Sequence, residues 1–357
     1  MTRHTCLVHG LRLMLQADEA VLAALRARLR AFPMVEETEP ADLHMEWTPV
    51  PDANRHVIQC PTGPSREVLS LSGGQVRYFA ETDELYAEAG SWARIRCQGT
   101  RGRSRVSYVE TFPEAVGYLA HPFLTIPLQE MLKRRGRYMV HAAALGNRGR
   151  GVLLAGGSGA GKTTLALALL RGGWDFLGDD TVFLSRRGDL WQGLAFPDEV
   201  DATPQTLAFF PELSRATAGV GAGYRHKHPL DVAALYGVPA TWDCEPRMLV
   251  FPQPGAQEIS EWSSLSRGEA LVHLASNVVR TDPAASQRHL DALAGLVRQC
   301  TCFRLKTGRD FAELPTSIRE ALWAAPEVLP GKSAAENCYL PPVSTPIPPP
   351  VSGREKT

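Results

Sequence analysis

The stretch Gly156-Gly157-Ser158-Gly159-Ala160-Gly161-Lys162-Thr163-Thr164 fits G-x-x-x-x-G-K-[ST] from Gly156 onward. Each residue type in it has a chemical use. Glycines let backbone N–H groups turn toward phosphate oxygens with no Cβ in the way. A lysine at position 162 reaches the β- and γ-phosphates, and the Thr163 hydroxyl is placed to ligate Mg²⁺. The apolar run GVLLA precedes the loop and KTTLALALL follows it, so the motif lies between a strand and a helix whose N-terminus favours an anion. Residues 156–164 are therefore the expected contacts of ATP, with Mg²⁺ as its companion.

Asp179 and Asp180 follow Lys162 by 17 and 18 residues, behind WDFLG, a strand expected to return beside the phosphate-loop strand. Two carboxylates there would divide the labour of phosphoryl transfer. One holds the metal, with Thr163, and the other takes a proton from an attacking hydroxyl. A polar turn before TVFL is the plainer alternative. His141, 21 residues before Lys162 in YMVHAAAL, has two open readings: a satisfied core histidine or a functional group.

Weaker candidates surround this block. AGVGAGYRHKHPL is Gly-rich and basic, and Arg225 and Lys227 could close over phosphates as a lid, or the segment is a solvated loop. FPDEVD offers Asp198, Glu199 and Asp201 as metal helpers or as a surface acidic turn. Leu71-Ser72-Gly73-Gly74-Gln75 spells the signature of transporter-type ABC ATPases, but it precedes the phosphate loop and lies between alternating strands. It reads as a hairpin turn. The seven cysteines are scattered, form no CxxC, and leave Cys300 and Cys302 without a second ligand pair. Reduced thiols and a cytoplasmic setting follow, with no zinc site.

The elements that must position these residues read as follows. Residues 1–112 are strand-rich, with one helix carried by Leu22, Leu25, Leu29 and Phe32. Residues 113–136 form a helical connector, broken or bent at Pro122 and Pro127. Residues 137–327 alternate short apolar strands with helices, which are expected at 266–278, 283–298 and 310–324. Residues 328–357 are a Pro-rich tail whose composition builds no core. Hydrophobic residues make up 44% and net charge is zero, so no general nucleic-acid coat is expected. No apolar run is long enough to span a membrane, and the first twenty residues make a poor secretion signal.

The stretch HAAALGNRGRGVLLAGGSGAGKTTLALALLRGGWDFLGDDTVFLS resembles the catalytic core of HPr kinase/phosphorylases and their relatives. The resemblance implies an α/β nucleotide-binding core within an α+β chain, similar to the phosphoenolpyruvate carboxykinase fold, joined to a smaller strand-rich N-terminal domain. It implies Asp179 as the base toward a serine hydroxyl, with His141 supporting it. The Arg-Gly second signature of the HPr enzymes has no counterpart after Asp180, so neither HPr as substrate nor phosphorolysis is implied. The leader looks more like that of HPr-kinase-like proteins, some of which phosphorylate ribosomal-peptide precursors. The expected activity is ATP-dependent phosphorylation of a serine or threonine on a peptide or protein. A small-molecule alcohol kinase and a nucleotide-gated switch are the alternatives. Neither nucleic acid nor membrane is an expected partner, and homo-oligomerisation stays open.

Overall fold

The computed structural model describes residues 1–37, 39–71, 74–111, 115–197, 200–213, 228–238 and 241–324. It is a mixed α+β chain with two large sheets. The first contains β1 (Thr2–Val8), β2 (Leu11–Ala17), β3 (Leu43–Val50), β4 (Ser65–Leu71), β5 (Gly74–Phe79), β6 (Glu84–Ala89), β7 (Ala93–Gln98) and β8 (Arg103–Val109). Their order is β1-β2-β3-β8-β7-β6-β5-β4. Alternation, clearest on β2, β3 and β7, buries one face, including Leu13, Leu15, Met45, Trp47, Val106 and Ile95.

Three helices cover that face: α1 (Glu19–Arg28), α2 (Ala115–Ala120) and α3 (Pro122–Lys133). Asp18 caps α1 by accepting from the Val21 N–H at 3.0 Å. Pro122 starts α3, where its missing N–H costs nothing, and the helix continues through Pro127. The helix is broken at Pro122, as expected; at Pro127 it is not broken, since burial of α3 in the first core outweighs the loss of one backbone donor. β4 and β5 pair antiparallel with Leu71 opposite Gly74, the hairpin expected around the ABC-like letters. A Cβ on Gly74 would overlap the Glu88 carbonyl, so packing fixes that residue. Ser72 and Gly73 lie outside the described residues.

The second sheet contains β9 (Tyr138–Val140), β10 (Ala142–Asn147), β11 (Arg150–Ala155), β12 (Asp175–Gly178), β13 (Val182–Arg187) and β14 (Leu190–Ala195). A small pair, β15 (Val200–Ala202) and β16 (His228–Leu230), stands apart. β17 (Asp243–Pro254), β18 (Glu261–Ser264) and β19 (Thr301–Thr307) complete the large sheet. The order is β12-β10-β11-β17-β14-β13-β9, with β19 also on β17 and β18 on β19. β17 begins against β14 and then runs between β11 and β19, so one twelve-residue strand joins two half-sheets.

Helices cover both faces of this sheet, which explains its continuous apolar strands. Val152, Leu154, Met248 and Val250 face α4 (Lys162–Arg171) and α9 (Leu314–Ala324). The short helices α5 (Pro204–Ala208) and α6 (Val232–Tyr236) add Leu207 and Val232 to the same core. Leu153, Ala155, Leu249 and Phe251 face α7 (Arg267–Ala275) and α8 (Pro283–Gln299). No helix among the described residues is long and apolar enough to cross a membrane.

Candidate active site

Strand direction gathers the chemistry at one edge. β10 is antiparallel to both β11 and β12, so the C-terminal ends of β11 and β12 and the start of β10 share that edge. The glycine loop leaves β11 there, His141 enters β10 there, and Asp179-Asp180 leaves β12 there. The strand before the aspartates therefore lies one place further out than expected: β12 pairs with β10, and β10 separates it from β11. The correction has a simple cause. Strand order depends on long-range pairing, which adjacency in sequence does not specify.

Glycines of the loop take backbone angles that other residues rarely adopt. Gly156 has φ +155° and Gly161, the N-cap of α4, has φ +90°. A Cβ on Gly156 would lie 2.9 Å from that of Ala160. Gly157, Ser158 and Gly159 are exposed at the rim, and Gly161 and Lys162 turn the chain into α4. The first N–H groups of that helix have no intrahelical acceptor, leaving a cradle of donors at the end of β11.

Lys162 is only 6% exposed. Its Nζ donates to the carbonyls of Gly156 at 2.9 Å and Gly157 at 3.3 Å, and lies 3.2 Å from His141 Nε2. His141 Nδ1 lies 3.1 Å from the Asp180 carbonyl, which only accepts. The proton is therefore on Nδ1, and Nε2 offers its lone pair to the Lys162 ammonium. His141 thus links the lysine to the aspartate segment.

The two aspartates differ. Asp179 is buried, and its Oδ2 accepts from Thr163 Oγ1 at 2.9 Å. The Asp180 side chain is 54% exposed, with Oδ1 4.0 Å from Lys162 Nζ. The Asp179 and Asp180 carboxylates and the Thr163 hydroxyl lie within one small region of the edge. That hard-oxygen set fits a Mg²⁺ ion that also takes phosphate oxygens. Among the described residues no group of three or more His, Cys, Asp or Glu side chains is arranged around a metal position.

Sequence reasoning missed one part. Thr164 Oγ1 lies 3.2 Å from Thr206 Oγ1, itself 3.0 Å from Thr203 Oγ1. Thr203 caps α5 ahead of Pro204, a Thr-Pro helix start that is readable from sequence. Asp201 sits exposed on β15, in the small strand pair outside the large sheet. Arg225, Lys227, Asp198 and Glu199 lie outside the described residues, as does the segment 325–357.

No protein-family model matches the chain, and no curated protein matches it. Among solved structures, the Hpr(Ser) kinase/phosphatase from Coxiella burnetii is similar at 15% identity, over 52% of this chain and 93% of that one. The TM-score is 0.27, and at that value the likeness carries no argument about this chain.

Proposed function

We propose that this chain is a kinase that transfers the γ-phosphate of ATP to a hydroxyl, with Mg²⁺, and that the hydroxyl belongs to a serine or threonine of a peptide or protein. The reading adopts a core of the phosphoenolpyruvate carboxykinase-like type. One observation carries it: the glycine loop, Lys162, His141, Thr163 and Asp179-Asp180 meet at one sheet edge, linked by hydrogen bonds of 2.9–3.2 Å. A strand-loop-helix turn with an incidental lysine would not require the other two segments, at His141 and at Asp179-Asp180, to join it.

In this reading the glycine-loop N–H groups and Lys162 hold the phosphates and stabilise charge as it develops. Thr163 and Asp180 would hold the metal, which supplies Lewis-acid neutralisation of phosphate charge when bound. Asp179 accepts the proton of the attacking hydroxyl, and its burial keeps it from water. His141 orients Lys162 and the Asp180 backbone. The Thr163–Asp179 bond favours a second assignment, in which Asp179 serves the metal side and the exposed Asp180 is the base.

The test uses γ-labelled ATP, Mg²⁺ and an array of serine- and threonine-containing peptides. Wild type is expected to yield phosphoserine or phosphothreonine. Asp179→Asn is expected to bind ATP normally and lose about 10²–10⁴-fold in transfer. Loss of ATP binding in that variant, with transfer lost instead in Asp180→Asn, exchanges the roles of the two aspartates. Label found only in a small alcohol, or only in inorganic phosphate, would overturn the peptide-kinase reading in favour of a small-molecule kinase or a nucleotide-gated switch.

A further inference from the structure

The face of the first sheet that turns away from α1–α3 carries a hollow of about 490 Å³ across β2, β3, β8 and β7. Arg96, Arg103, Arg105 and His44 line it, against the single carboxylate of Glu46. Strand register sets the arrangement. Arg105 stands directly between Arg96 and Glu46, and Arg103 between Gln98 and His44. Like charges placed opposite each other on neighbouring strands are destabilising, so the Arg96–Arg105 neighbour pair works against the favourable one of Arg105 with Glu46.

Arg96 is held by Glu84 at 2.7 Å. Arg103 and Arg105 are exposed and have no hydrogen-bond or ion-pair partner among the described residues. They sit two apart on one strand, so both guanidinium groups point from the same face, roughly 7 Å apart along it. Alternate side chains of an extended polypeptide repeat at that same spacing.

We propose that this hollow docks an extended, acidic segment of a partner polypeptide, with carboxylates at alternate positions paired to Arg103 and Arg105. Planar guanidinium forks suit carboxylates in two-point pairing. Glu46 sets the pattern further, because it places one acceptor among the donors, where it would meet an amide or a basic side chain of the same segment. Nucleic acid fits less well. The lining has no phenyl, phenol or indole ring on which bases would stack, and Glu46 would repel a phosphate. The C-terminal segment 325–357 is excluded as occupant by charge, since it carries three acidic and three basic side chains. This docking role is independent of phosphoryl transfer and of the nucleotide edge.

The experiment measures fluorescence anisotropy of a labelled peptide of alternating glutamate and serine, titrated with the full chain. A lysine-serine peptide and a thymidine oligonucleotide of equal charge to the acidic peptide serve as comparisons. Salt-sensitive binding of the acidic peptide alone is expected. The double variant R103E/R105E should weaken it by about tenfold or more. Should charge reversal lower the melting temperature, R103Q/R105Q replaces it, with the same loss expected at an unchanged melting temperature. No binding, equal binding by the folded variant, or tighter binding of the oligonucleotide would overturn the proposal.

Discussion

His289 donates from Nε2 to the Met139 carbonyl at 2.8 Å and is 4% exposed, while its buried Nδ1 has no partner among the described residues. A second proton would go to that buried nitrogen. Burial, with Lys133 nearby, lowers its pKa from 6.5 to about 4 against the raising effect of the Met139 carbonyl. His9, packed on Phe32 and Phe183, is also lowered to about 4, by burial and then by Arg137. The sign follows from linkage. Between pH 6.5 and 4 the unfolded chain binds protons that the folded chain refuses, so stability is fully present above about 6.5 and is lost as pH falls toward 4. For His289 the loss amounts to at most roughly 3 kcal/mol. His289→Gln keeps a donor toward Met139 without the titration. Thermal melts of wild type and variant between pH 7 and 4 should show the variant gaining on wild type as pH falls. A difference that does not change with pH would contradict the assignment.

At the scale of elements, α8 and β14 meet through Gly295 and Trp191. A Cβ on Gly295 would lie 2.0 Å from the indole nitrogen of Trp191, so this mid-helix glycine is there for close packing and not for helix propensity. Gly295→Ala should cost about 1–3 kcal/mol through overpacking, read as a lower denaturation midpoint at unchanged ATP affinity. A more stable variant would show that helix propensity outweighs the contact. Such contacts mark the limit of what sequence reveals. The strand GVLLA, the glycine loop and its helix were legible because their signals are local and continuous. The helices of the C-terminal half were legible to within a few residues: those expected at 266–278, 283–298 and 310–324 are α7, α8 and α9. The candidate site's residues were legible as types, and the structure brings Lys162, Thr163 and the aspartates to one sheet edge. Three things were not legible. Pairing of β12 with β10 is a non-local choice. The bond from Thr163 to Asp179, rather than to Asp180, depends on which side chain turns inward after β12. The role of β17 as the seam between half-sheets has no counterpart in its apolar sequence, which any buried strand would show.

At the scale of the molecule, the two sheets are held together by a buried charged cluster and by aromatic packing. Glu130 on α3 pairs with Lys133 at 2.6 Å and Arg134 at 2.7 Å, and accepts from Thr281 of the second half. Lys133 also donates to Thr281 and to the Val279 carbonyl, and Arg66 donates to the Thr281 carbonyl. Phe183 of β13 and Phe196, just past β14, complete the first core. α3 therefore serves both halves, although its sequence reads as a connector. The same second sheet carries the glycine-loop edge, where β9 turns into β10 at His141 and β12 passes to β13 at Asp179-Asp180. In the proposed function this edge binds Mg-ATP through the loop that Lys162 completes. Calorimetric titration of ATP with Mg²⁺ into wild type and Lys162→Ala tests it most directly. Saturable binding by wild type and a loss of roughly ten- to hundredfold in the variant, at unchanged secondary structure, is the predicted result. Equal affinity of the two proteins, or no binding by wild type, would contradict it.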